Sequence, residues 1–81
     1  MKVSIKLFAG ARELAGQDVV DVELPDRSPV SSLRSRLLND VPALQPLARH
    51  LVFAVNQEYA SDDTMIAPGA EVACIPPVSG G

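Results

Sequence analysis

Two stretches early in the chain alternate apolar and polar residues, and one later stretch repeats at helical spacing; few architectures accommodate that combination. Over residues 2–8, Val3, Ile5 and Leu7 fall on one side of an extended backbone, with Ser4 and Lys6 on the other. Over residues 18–24, Val20, Val22 and Leu24 share a side in the same way. A period of two buries one face of a strand and leaves the other to solvent. Between these stretches, Ala9-Gly10-Ala11-Arg12-Glu13-Leu14-Ala15-Gly16 is too short for a full helix and fits one turn closed by Gly16. The two strands are expected to pair as an antiparallel hairpin.

Pro25-Asp26-Arg27-Ser28-Pro29 interrupts the pattern and predicts a helix start, with Ser28 as N-cap and Pro29 at the first helical position. Val30, Leu33, Leu37 and Val41 then recur at helical spacing, with Leu38 widening the stripe and Asn39-Asp40 and Pro42 ending it. Residues 42–50 contain Pro42 and Pro46 and read as a loop or a short helical turn. The apolar run at residues 51–55 predicts a strand buried on both sides or against the helix. Asn56-Gln57 is turn chemistry, because Asn tolerates a left-handed backbone. A short strand is expected through Tyr59, with turns at Asp62-Asp63 and Pro68-Gly69. Residues 71–75 form a last strand, stopped by Pro76-Pro77, which cannot donate to a ladder. The order gives an α+β layer arrangement: a mixed sheet of four to five strands with one main helix across one face. Residues 1–75 make the folded domain and residues 76–81 an extended, flexible tail.

Composition closes off other classes. At 81 residues the chain holds one core, and 47% apolar residues suffice to pack it. Seven basic and ten acidic residues give a net charge of −3, and no basic residue follows Arg49. A nucleic-acid surface would require a basic patch, so none is expected. No apolar stretch is long enough to span a bilayer, and the first residues do not read as a signal peptide. The single cysteine, Cys74, rules out an internal disulfide framework and fits a reducing, cytoplasmic setting.

The chain ends Pro76-Pro77-Val78-Ser79-Gly80-Gly81. Pro-Pro favours an extended backbone leaving the sheet, and the two glycines carry no Cβ, so a narrow channel can approach them from every side. The chemistry left at the tip is the carboxyl group of Gly81. Transfer of AMP from ATP would make it a mixed anhydride; attack by a sulfur nucleophile would then leave a thiocarboxylate on a threadable arm.

Three groups of residues carry a resemblance: Leu7-Phe8-Ala9 with Arg12-Glu13-Leu14-Ala15-Gly16; Ala54-Val55-Asn56-Gln57; and Gly69-Ala70-Glu71-Val72-Ala73 with Pro76-Pro77-Val78-Ser79-Gly80-Gly81. In order and spacing the chain resembles the ubiquitin-like (β-grasp) sulfur-carrier family, on its molybdopterin synthase small-subunit branch. The resemblance runs nearly end to end and is weakest at residues 42–50. It implies that the first and last strands lie side by side in the sheet. It also implies that a ubiquitin-activating-like adenylyltransferase adenylates Gly81 using ATP, and that a sulfurtransferase system supplies the sulfur. Residues Pro76, Pro77, Val78, Ser79 and Gly80 would enter the large subunit of molybdopterin synthase in a hetero-oligomer. There the sulfur would help convert cyclic pyranopterin monophosphate into molybdopterin, with the catalytic side chains on the large subunit. Phe8, Arg12, Tyr59 and Ile75 match partner-contacting positions, although Tyr59 and Ile75 depart from the bulky apolar residues associated with those places.

Plainer readings stand beside these. Phe8 could belong to a second small core cluster, and Arg12 could simply pair with Glu13 or Glu71. Cys74 shares a strand face with Val72, which suits a small buried hydrophobe. His50 has no second ligand at metal spacing, Asp62-Asp63 should face solvent, and neither a Ser-His-Asp set nor a phosphate-cradling loop occurs. The chain is therefore expected to bind no cofactor or metal of its own. A ubiquitin-like protein modifier, or a carrier for another pathway such as thiamin or a thionucleoside, uses the same tail chemistry and remains open at this point.

Overall fold

The period-two segments become paired strands in the structure, a computed structural model that describes residues 1–76. Strand β1 (Lys2–Leu7) pairs antiparallel with β2 (Val19–Glu23), and Val3↔Val22 and Ile5↔Val20 are in register. The buried residues of both strands therefore stack on one face. Helix α1 (Ala9–Ala15) joins them and is longer than the single expected turn. Gly16 ends it as expected, in the left-handed region at φ 72°, its N–H donating to Arg12 O.

The helix start differs from the sequence reading. Ser28–Pro29 is a short strand, β3, and Ser28 Oγ donates to Pro25 O instead of capping the helix. Helix α2 (Val30–Asp40) begins one residue later than expected. Its first amides find their acceptors in a distant loop: Val30 N–H donates to Thr64 O and Ser31 N–H to Asp62 O. Helix-initial donors can be satisfied by any well-placed carbonyl, so the capping function passed from a local side chain to a remote backbone. Val30, Leu33 and Leu37 form the fully buried stripe that the spacing predicts. Residues Pro42–His50 form a 3₁₀ helix that plugs Leu44 into the core.

Strands β4 (Val52–Val55) and β5 (Glu58–Ala60) form a hairpin across Asn56 and Gln57, both left-handed (φ 51° and 70°). Of the two readings for β4, packing against the helix holds: Phe53 is fully buried while Val52 is 40% exposed. Strand β6 (Met65–Ile66) pairs with β3 in a small second sheet. The last strand, β7 (Val72–Ile75), runs parallel to β1 and antiparallel to β4, giving the order β2-β1-β7-β4-β5. This is the ubiquitin-like β-grasp arrangement expected from the resemblance, with the first and last strands adjacent. Ile5, Leu33, Leu37, Leu44, Phe53, Ile66 and Cys74, all at 0% exposure, fill the space between sheet and helices.

Candidate functional site

Alternation that sends Ile5, Phe53 and Cys74 toward the helices sends their neighbours to the opposite face of the sheet. Register then fixes who meets whom: Lys6 lies beside Ala73 on β7 and Val19 on β2, while Ala54 lies beside Ala73 and Tyr59. No helix among the described residues covers this side. Two adjoining clefts of about 320 and 310 Å³ run along it. Ser4, Lys6 and Val19 line the first; Tyr59 and Ile75 line the second; Phe8, Ala54, Gln57 and Ala73 are shared by both.

Three of the four partner-contact positions read from the sequence meet here. Phe8 is 42% exposed, which disposes of the second-core reading. Its backbone is pinned at both ends: its N–H donates to Cys74 O, and its C=O accepts from Ala11 N–H. Ala9, left-handed at φ 48°, turns the chain into α1 directly behind it. Tyr59 stands 79% exposed on the edge strand, and half-buried Ile75 closes the cleft from β7. Arg12 is the exception. It lines neither cleft and pairs with Asp18 (Nε to Oδ1 3.8 Å), not with Glu13 or Glu71. The pairing follows from the fold: Asp18 O accepts from Leu7 N–H, which brings the start of β2 against α1. Asp18 precedes Val19, so Arg12 sits at the rim of the apolar face.

The strand that leads to the tail is held on both sides, by β1 and by β4, and this fixes where the chain leaves the sheet. Pro76 is the last described residue and is buried. Pro77, Val78, Ser79, Gly80 and Gly81 lie outside the described residues.

Elsewhere the plainer reading of Cys74 holds. Cys74 is fully buried, and burial pushes its thiol up to about 11, the nearby Arg34 cation offsetting only part of the effect. At neutral pH it is a protonated thiol packed as a small hydrophobe. His50 is an exposed residue at the end of the 3₁₀ helix, and no metal-holding cluster of His, Cys, Asp or Glu occurs among the described residues. Asp62 and Asp63 are exposed as expected, and Asp62 also accepts from Arg34 Nη2 at 3.0 Å. Arg34 also donates to Leu51 O and stacks 5.0 Å above the Phe53 ring, so this one side chain ties α2 to the start of β4. No helix among the described residues is long and apolar enough to cross a membrane.

Sequence reasoning missed Val19, Val52, Ala54 and Ala73 as members of the open face. Their parity was legible, since each neighbours a core residue, but their assembly depends on pairings between strands distant in sequence.

Comparison with known proteins places these features in context. The ThiS family matches residues 5–81. The molybdopterin synthase sulfur carrier subunit of Chlamydomonas reinhardtii is 39% identical over 83 residues, all of both chains being covered. The crystal structure of SAMP1 from Haloferax volcanii superposes with a TM-score of 0.87 at 31% identity, again over all of both chains. A chain of the complex of subunits 1 and 2 of molybdopterin-converting factor from Helicobacter pylori shares the fold, with a TM-score of 0.71 at 20% identity over the whole of each.

Proposed function

The chain belongs to the ThiS family, and from that membership we propose its function: it is a sulfur carrier subunit of molybdopterin synthase, acting in molybdenum cofactor biosynthesis. The observation that carries this reading is the 39% identity to a sulfur carrier subunit over the whole of both chains. The chemistry is that of an activated terminal carboxyl. A carboxylate oxygen of Gly81 attacks the α-phosphorus of ATP on an adenylyltransferase and displaces pyrophosphate. Sulfide then attacks the carbonyl carbon and expels AMP, leaving the thiocarboxylate; where a sulfurtransferase offers the sulfur as a persulfide, the acyl disulfide first formed is cleaved by a thiol, which leaves the thiocarboxylate and a disulfide. ATP is bound by the activating partner, not by this chain.

The charged carrier works in complex with the large subunit, as the pairing of subunits 1 and 2 in the Helicobacter pylori complex supports. The open face of the sheet seats the partner through Phe8, Tyr59 and Ile75, with Arg12 at the rim. Aromatic anchors beside small residues such as Ala54 and Ala73 suit a close apolar fit. Pro76 directly follows β7, the strand that also carries Ile75, so the docking face adjoins the point from which the terminal residues are delivered. Each carrier brings one sulfur and the dithiolene needs two, so each product requires two charging events.

The test is intact mass after incubation with an activating enzyme, ATP and a sulfide source. Replacement of one terminal oxygen by sulfur, mapped to Gly81, is expected. A chain lacking Gly81, or extended beyond it, should keep its fold and lose sulfur transfer; full synthase activity in either variant would overturn the reading. A second reading, a protein modifier, draws on the likeness to SAMP1, a small archaeal modifier protein. Lysine conjugates without any thiocarboxylate in the same assay would favour it.

A further inference from the structure

One cation stands in the middle of the apolar face. Lys6 lines the first cleft, and its side chain is flanked across the strands by Val19 and Ala73 and along β1 by Ser4 and Phe8. None of these is charged. Lys2, on the same face of β1, stands opposite Glu23, so its surroundings differ. The nearest diagonal acid on β2, Asp21, already accepts from Ser4 Oγ at 2.6 Å. Among the described residues Lys6 makes no ion pair, and neither does Glu71 in the same cleft.

In the free protein this arrangement is harmless, because an exposed ammonium keeps its water while its stem lies along the apolar surface. Docking changes the balance. A partner that closes over Phe8 and Ile75 also covers the cleft between β1 and β7 and strips water from Lys6. A desolvated ammonium without a counter-charge is strongly unfavourable, whereas one facing a carboxylate is compensated. We infer that the large subunit presents a carboxylate side chain to Lys6, and that this pair discriminates the proper partner from others that offer only an apolar fit. The inference rests on the reading of the open face as the docking surface. Its role is specificity: a non-cognate surface would bury the ammonium unpaired or bring a like charge against it.

The experiment is calorimetric titration of the large subunit from the same organism into the full chain, at low and at moderate salt. Wild type, Lys6→Arg, Lys6→Met and Lys6→Glu are compared, and thermal melts confirm that each variant is folded. Lys6→Met should weaken binding at least tenfold, because it leaves the partner's carboxylate uncompensated. Lys6→Glu should weaken it further, and Lys6→Arg should restore most of the affinity. The Lys6→Met loss should persist at moderate salt, because a pair closed off from water is screened little, and should persist in a Glu71→Gln background. Unchanged or tighter binding by folded Lys6→Met would overturn the inference. So would disappearance of the loss when Glu71 is neutralised, which would make the counter-charge internal. Absence of any wild-type complex would overturn the docking-face reading itself, and the inference with it.

Discussion

On the helix side of the sheet, Ile5, Phe53 and Cys74 are fully closed off by Leu33, Leu37 and Leu44; on the other side, Phe8, Val19, Val52 and Tyr59 are between 40% and 79% exposed. The same strands supply both sets, one residue apart. One face is completed within the chain and holds it together. The other, largely apolar around Phe8, Val19, Ala54, Ala73 and Tyr59, is left uncovered by the described residues, and an exposed apolar patch on a small protein suits a partner. With the open face as the proposed docking surface, strand parity separates stability from recognition, so substitutions one position apart should report on different properties.

The sharpest break of that comparison is Phe53→Ala. Emptying a fully enclosed aromatic site beneath the Arg34 guanidinium should cost about 3–5 kcal/mol in urea denaturation. A small domain would lose most of its stability with it. An equally large loss from Tyr59→Ala would erase the distinction between the faces.

On the open side the expected loss is in binding. Phe8→Ala and Tyr59→Ala should each weaken the complex with the large subunit about tenfold or more, roughly 1.4 kcal/mol, while moving stability by less than ~0.5 kcal/mol. Unaltered affinity in both variants would remove these residues from the docking surface.

Cys74 sharpens the comparison through pH. Its thiol ionises near 9 when exposed and near 11 in the fold, so the folded state holds the proton more tightly. Its contribution to stability is therefore complete below about pH 9 and is lost as pH rises from about 9 to 11. Cys74→Ala should be modestly destabilised at neutral pH and should show a shallower alkaline decline than wild type, read from denaturation midpoints across that range. Sulfur loading of Gly81 should be unaffected; its loss in a folded variant would give Cys74 a chemical role.

The smallest expected effect is at the rim. Arg12 and Asp18 are 54% and 80% exposed, and an ion pair so open to solvent contributes little. Arg12→Ala should change stability by under ~0.5 kcal/mol, and a larger change would mean that the pair braces α1 against β2.

Much of this was legible before any coordinates. The alternation in residues 2–8 and 18–24 marked both strands and their buried faces, because period two survives any tertiary context that buries one side. Val30, Leu33 and Leu37 declared the helix stripe for the same reason at period 3.6. Asn56-Gln57 announced its hairpin, and the parity of Cys74 with Val72 announced its burial. The resemblance supplied the family and four candidate contact positions, three of which the fold gathers on one face.

The rest was decided by contacts between residues far apart in the chain. Ser28 does not cap the helix: the carbonyls of Asp62 and Thr64 accept from its first amides, while Ser28 Oγ donates to Pro25 O. Arg12 found Asp18 only because Leu7 binds the start of β2, and Phe8 meets Ile75 only because β1 lies parallel to β7. Local pattern determines which side of an element is buried, since that depends on backbone geometry alone. Which outward side chains become neighbours depends on strand order and register, which the whole core selects at once.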